Sequence, residues 1–175
     1  MILSNVILVD TKDNQTGISE KLEAHKKGLL HRAFSIFLFN DQDQLLLQKR
    51  ADEKYHSGGL WMNTCCSHPS AGEFLIKSAQ NRLKEEMGIS TSLSPLFSFI
   101  YKAEFDNGLI EHELDHVFIG TFNANPLPNP EEVGEWKYAS IEEIKDDIAQ
   151  SPESYTFWFK LIYERVFNYI STNKK

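Results

Sequence analysis

Apolar and polar positions alternate along this chain in strand-length and helix-length patterns. Residues 6–9 form a short apolar run that reads as a strand, followed by a polar turn at 10–17 (DTKDNQTG). Residues 18–30 contain Lys21 and His25 and lead into His31, but their pattern assigns no element. Residues 33–39 (AFSIFLF) predict a buried strand and 45–50 a second, joined through the turn 40–44 as a hairpin. A polar loop at 51–59 carries Lys54 and ends in Gly58-Gly59.

Residues 73–87 switch to a helical period. Leu75, Ala79, Leu83 and Glu86 follow one another at three- and four-residue steps and share a face. Gly88 stands just past the end, where a left-handed stop favours glycine. A carboxylate closing an apolar stripe points inward and needs a cation there. Residues 96–105 and 109–122 predict two strands about Asp106-Asn107-Gly108, Asn-Gly being a strong hairpin signal. A Pro-rich loop covers 123–130 and a short strand 135–139. A capping box, Ser140 with Glu143, opens a helix over 140–149. Ser151, with Pro152 at the first helical position, predicts a last aromatic-rich helix running to about residue 170. Strands mixed with one central and two terminal helices predict an α+β fold, an α/β/α sandwich, as a single domain over residues 1–175.

Composition narrows the function classes. Hydrophobic residues at 41% and charged residues at 25% describe a globular chain, long enough for a full core. The net charge of −7 argues against nucleic acid and against anionic membranes as partners; an anionic substrate needs basic residues gathered locally. The two cysteines, Cys65 and Cys66, are adjacent, so a bridge between them is strained and a reducing compartment is expected. The opening MILSNVILVDTKDN has no basic segment, its apolar run breaks at Asn5, and no apolar run approaches membrane-spanning length. The expectation is a cytoplasmic protein, monomer or homodimer, with a small-molecule substrate.

Several side chains then stand out. Glu111 and Glu113 lie two apart on a predicted strand and face the same side, where two carboxylates repel unless they share a metal or a proton; an arbitrary E-x-E more often points to water. His25, His31 and His68 are ordinary histidines singly, but with the two glutamates they make a set of three nitrogens and two oxygens suited to Mn²⁺, Zn²⁺ or Mg²⁺. Cys66, two residues before His68, can be a small buried residue, a nucleophile, an acid/base or a ligand. Lys21, Arg50, Lys54 and Arg82 read singly as solvated cations, and Tyr101 and Trp158 as core aromatics.

Together these residues resemble the type I isopentenyl-diphosphate isomerases, a branch of the Nudix superfamily. The resemblance spans about the whole chain; its most specific pieces are NTCCSHP at 63–69 and IEHE at 110–113, supported by RLKEEMG at 82–88 and the aromatics around Trp158. The helix is similar to a Nudix box, G-x5-E-x7-R-E-U-x-E-E-x-G-U with U apolar. It keeps Glu73, Glu85, Glu86, Gly88 and Ile89, but has Ser67 for the first Gly and Asn81-Arg82 for Arg-Glu.

The resemblance implies a Nudix-like sandwich with a mixed sheet and an aromatic-rich C-terminal helix. It also implies a divalent ion on His25, His31, His68, Glu111 and Glu113, and a Mg²⁺ on Glu86 that bridges the substrate diphosphate. Lys21, Arg50, Lys54 and Arg82 match the diphosphate-binding cations. Cys66 and Glu113 match the catalytic thiol and carboxylate, Tyr101 the tyrosine beside that carboxylate, and Trp158 the tryptophan over the reacting carbon. The implied reaction, in isoprenoid biosynthesis, interconverts isopentenyl and dimethylallyl diphosphate through a tertiary carbocation. The alternatives are a Nudix hydrolase of diphosphates, which the cation at Arg82 and the thiol at Cys66 disfavour, and a non-catalytic diphosphate- or metal-binding regulator on the same fold.

Overall fold

A computed structural model of the chain describes residues 5–54 and 56–173. In order the elements are β1 (Asn5–Val9), β2 (Gln15–Glu20), α1 (Lys21–Lys27), β3 (His31–Phe39), β4 (Leu45–Arg50), β5 (Trp61–Met62), β6 (Cys65–Ser67), α2 (Leu75–Met87), β7 (Ser94–Glu104), β8 (Ile110–Thr121), β9 (Val133–Ala139), α3 (Ile141–Gln150), a 3₁₀ turn (Pro152–Ser154) and α4 (Phe157–Asn173).

The sheet is built around β3. All nine of its residues pair in parallel with β8, from His31 opposite Glu113 to Phe39 opposite Thr121. The other edge of β3 is shared: β1 at Leu8, β6 at Cys65–Ser67, and β4 at Leu45. β7 lies antiparallel outside β8, and β9 outside β4. Strand alternation then sorts side chains onto two faces. Phe37 and Phe39 join Tyr101, Val117 and the buried face of α4 in one core, whereas Phe34, Ile36 and Leu38 meet Ala79, Leu83 and Met87 of α2 in another. The adjacent cysteines divide the same way: Cys65 is sealed in the α2 core, and Cys66 borders the α4 core. Both are free thiols.

Three stretches differ from the pattern-based reading. Residues 15–27, largely without a pattern, form β2 and α1. β2 is mostly exposed, so nothing enforces hydrophobic alternation there. α1 is a seven-residue helix started by Glu20, whose carboxylate accepts from the backbone of Leu22 and Glu23. α2 begins at Leu75, because Glu73 is engaged with Ser78 and Asn81. The last helix begins at Phe157, not after Ser151. Tyr155 bridges Trp61, and the Thr156 amide donates to the Trp61 carbonyl at 3.0 Å, which holds the chain extended there. The expected capping box is present at Ser140 and Glu143.

Gly88 has φ 68°, and a Cβ added there would lie 2.5 Å from the Leu127 carbonyl oxygen. The loop pressed against it donates from Leu127 to the Met87 carbonyl and from Asn129 to the Glu86 carbonyl, closing the end of α2.

Candidate active site

His31, Ser35, Glu113 and Asp115 stand on one face of β3 and β8, and α1, β6, α2 and α4 bring further side chains around them. The resulting cavity, of about 120 Å³, is lined by Cys66, Tyr101, Glu113 and Trp158 and by the cations Lys21, Arg50, Lys54 and Arg82. Asp115 Oδ1, Arg50 Nε and Trp158 Nε1 all border it, each buried and without a hydrogen-bond partner among the described residues. Buried polar atoms are normally satisfied, so these mark a place where an occupant completes the bonding.

At one end, donor atoms of His25, His31, His68 and Glu113 all lie within 4.8 Å of one another. His68 Nε2 is 2.9 Å from Glu113 Oε1, His31 Nε2 is 3.5 Å from the same oxygen, and the two ring nitrogens are 3.2 Å apart. Ligands about 2.1 Å from one ion stand roughly 3.0 Å apart in an octahedron and roughly 3.4 Å apart in a tetrahedron. These separations match the edges such a polyhedron would have, so the four side chains could hold a divalent ion. The His31 ring is oriented by its other nitrogen: Nδ1 lies 2.8 Å from the Leu29 carbonyl, which can only accept, so Nδ1 carries a hydrogen and Nε2 is turned to the cluster. Glu111 is not in this group. Its Oε2 is 3.1 Å from the Tyr101 hydroxyl oxygen, and its Oε1 is 3.2 Å from His56 Nε2. The same hydroxyl reaches Glu113 Oε2 at 2.8 Å and so stands between the two carboxylates.

Burial and nearby charge set the proton affinities. Burial, with the charge of Glu113, raises Glu111 to about 8 and Asp115 to about 8. Glu113 lies well below the usual carboxylate range: burial pushes it up, but His31 and His68 more than offset that. Burial lowers His25 to about 4 and His68 to about 3. Both rings are therefore neutral at pH 7, as metal ligation requires. Each binds fewer protons folded than unfolded between its folded value and about 6.5, so their contribution to stability falls as pH drops through that window. Glu111 and Asp115 act oppositely: theirs is full at low pH and lost as pH rises through about 8. A divalent ion should raise Tm at pH 7 and lose that effect by about pH 3, where protons occupy the imidazoles. Thermal melts with and without metal at both pH values check this; no shift at pH 7 would refute the metal site.

Across the cavity, Cys66 Sγ lies 3.0 Å from Asn63 Nδ2, 3.2 Å from Asn63 Oδ1 and 3.2 Å from Ser35 Oγ. Burial, with the charge of Asp115, raises the thiol well above its ordinary value. Near the mouth, Arg82 donates from Nε to Glu86 at 2.7 Å and from Nη2 to Glu132 at 2.8 Å; Lys54 pairs with the same Glu132 oxygen. The inward carboxylate of the α2 stripe, Glu86, thus has its cation in Arg82, and its second oxygen accepts from Gln48 at 2.9 Å. Trp158 is buried under the Arg50 guanidinium, 5.6 Å from its ring centroid.

A family profile described as the NUDIX domain matches residues 29–159. Solved structures agree on the fold: a Deinococcus radiodurans protein superposes with a TM-score of 0.69 at 19% identity, over 84% of this chain and 90% of its own. A MutT protein from Methanosarcina mazei gives 0.64 at 21% identity, over 83% and 96%. Among curated proteins, the isopentenyl-diphosphate Delta-isomerase of Pectobacterium atrosepticum is 52% identical over 97% of this chain and 94% of its own length. The chain belongs to the isopentenyl-diphosphate Delta-isomerase family. A second isomerase of this name, number 2 of Aromatoleum aromaticum, is 49% identical over 96% of this chain and 89% of its own. The Nudix profile starts after Lys21 and His25 of this chain, whereas the match to the Pectobacterium isomerase covers 97% of it.

All the residues singled out from the sequence as catalytic or diphosphate-binding line the one cavity. Residue-by-residue reading missed Ser35, His56, Asp115 and Glu132. Asp115 had a signal, since it continues the same-face alternation of Glu111 and Glu113. His56 and Glu132 had none, because each reaches the site from a loop. No described helix is long and apolar enough to cross a membrane.

Proposed function

We propose that this protein, as a single domain over residues 1–175, interconverts isopentenyl and dimethylallyl diphosphate, a step of isoprenoid biosynthesis. The carrying observation is that a thiol on β6 and a carboxylate on β8, strands on opposite edges of β3, line one small cavity with an aromatic ring. An unactivated alkene must gain a proton at one carbon and lose one at another. Two acid/base groups reaching different carbons do this, and Cys66 and Glu113, with Tyr101 hydrogen-bonded to the latter, are those groups. The intermediate is a tertiary cation that water would trap, so a closed site is required. The face of the Trp158 ring stabilises that cation, a contact worth about 2 kcal/mol or more when desolvated.

Lys21, Arg50, Lys54 and Arg82 bind the diphosphate, and that binding energy offsets the cost of placing the apolar tail against the acid and base. His25, His31, His68 and Glu113, with Glu111 from the same strand face, hold a divalent ion, Mn²⁺, Zn²⁺ or Mg²⁺; Glu86 holds a Mg²⁺ that accompanies the diphosphate. When bound, such ions fix carboxylate positions and balance phosphate charge. The protein acts as a monomer or a homodimer, in the cytoplasm. The test is incubation with isopentenyl diphosphate: dimethylallyl diphosphate should form without released phosphate, and phosphate release or no isomer would overturn the assignment.

Arg82 separates the isomerase from a hydrolase reading. Arg82→Glu restores the carboxylate of the hydrolase motif but places it beside Glu85, Glu86 and Glu132, the three acids that Arg82 now neutralises. The expected outcome is a KM raised by about tenfold or more, from one lost charge-assisted contact, with no hydrolase activity. Unchanged steady-state kinetics would show Arg82 to be a solvated helix residue.

A further inference from the structure

We infer that Ser35, with Asn63 opposite it, is a positioning residue for the Cys66 thiol; this rests on the isomerase reading above. Both side chains are fully buried. The orientation of the Asn63 amide is fixed by its neighbours. One end lies 3.1 Å from the Ile36 carbonyl and 3.0 Å from the Cys65 carbonyl, and since carbonyls only accept, that end is the NH₂. The same NH₂ reaches Cys66 Sγ at 3.0 Å, and the amide oxygen faces the sulfur at 3.2 Å.

Ser35 sits at the centre of β3, directly across from Cys66 in the ladder. It donates its one hydroxyl hydrogen to Asp115 Oδ2 at 2.6 Å. That leaves oxygen lone pairs facing Cys66 Sγ at 3.2 Å. The sulfur is thus held between an amide locked by two backbone carbonyls and a hydroxyl locked by a carboxylate. A cysteine χ1 otherwise samples three staggered wells. This cradle selects one, because it sets two acceptors, Asn63 Oδ1 and Ser35 Oγ, in fixed directions around the hydrogen-bearing sulfur.

Ser35 lies between Ala33 and Phe37 on β3, at the border between the polar group of His31, Glu113 and Asp115 and the apolar core under α4, and its hydroxyl bonds both Asp115 and Cys66. Asn63 makes backbone bonds whose loss would confuse any test, so Ser35 is the residue to change. Misplacing a reacting group by about 1 Å costs on the order of 10²-fold in rate.

The experiment uses the metal-loaded full chain with isopentenyl diphosphate as the probe, and compares S35A and S35T with the parent for kcat, KM and Tm. S35A should lower kcat by roughly 10–100-fold with KM within about threefold, and S35T should recover most of the loss. A parental kcat in S35A, a loss carried by KM, or an S35T no more active than S35A overturns the proposal. Because S35A strips Asp115 of its donor, S35A/D115A compared with D115A carries the same test if S35A does not fold. A parent that forms no dimethylallyl diphosphate refutes the isomerase reading instead, so the two failures are distinguishable.

Discussion

Cys66→Ser is expected to lower turnover by about 10²–10⁴-fold, the usual span for loss of a general acid or base. The replacement is nearly isosteric, and a hydroxyl can use the same partners, Asn63 and Ser35. Packing, melting temperature and bound metal should therefore be kept. What changes is proton affinity. A free thiol has a pKa of roughly 8.5, already raised here by burial, and an aliphatic hydroxyl lies far above that. Isomerisation rate, Tm and metal content are measured on one preparation. Near-parental turnover would remove Cys66 from the mechanism.

Glu113→Gln should also abolish turnover, but by a route that reaches the metal. One Glu113 oxygen faces His68 and His31, and the other accepts from Tyr101. The amide must place an NH₂ against either the imidazole nitrogens or the tyrosine hydroxyl, and it removes the charge an ion needs. Bound metal should fall along with activity, in contrast to Cys66→Ser. Glu111 reports the same change from the other side: the charge of Glu113 is one of the causes holding it at about 8, so its pKa should fall toward the ordinary range of about 4.3. Elemental analysis and NMR titration of Glu111 check the two effects. A variant with full metal content and full turnover would show Glu113 to be neither ligand nor catalyst.

What the sequence disclosed depended on how deeply each segment is buried. The α2 stripe from Leu75 to Glu86 and the apolar strand β3 were legible because cores enforce their periods. The hairpin at the Asn107-Gly108 turn was legible because so few backbones satisfy that turn. β2 and α1 were not, since one is mostly exposed and the other buries only Ala24 and His25. The start of α4 was misplaced because Ser151 and Pro152 are genuine start signals locally, and a sheet contact from Trp61 overrides them. The site shows the same division. Its cations and histidines are scattered along the chain and converge only through the resemblance to a known family. The support around Cys66 lies on β3, whose apolar pattern conceals Ser35.

The parallel pairing of β3 with β8 also orders events in time. His31 cannot meet Glu113 until the whole intervening chain has been laid down between them, and pairings so distant in sequence are slow to form. The side chains of the histidine cluster come from α1, β3, β8 and the segment after β6, so they are neighbours only once that closure is complete. An ion bound there would meet a finished site rather than seed one, and would act on the reverse reaction, slowing escape from the native state rather than speeding first folding.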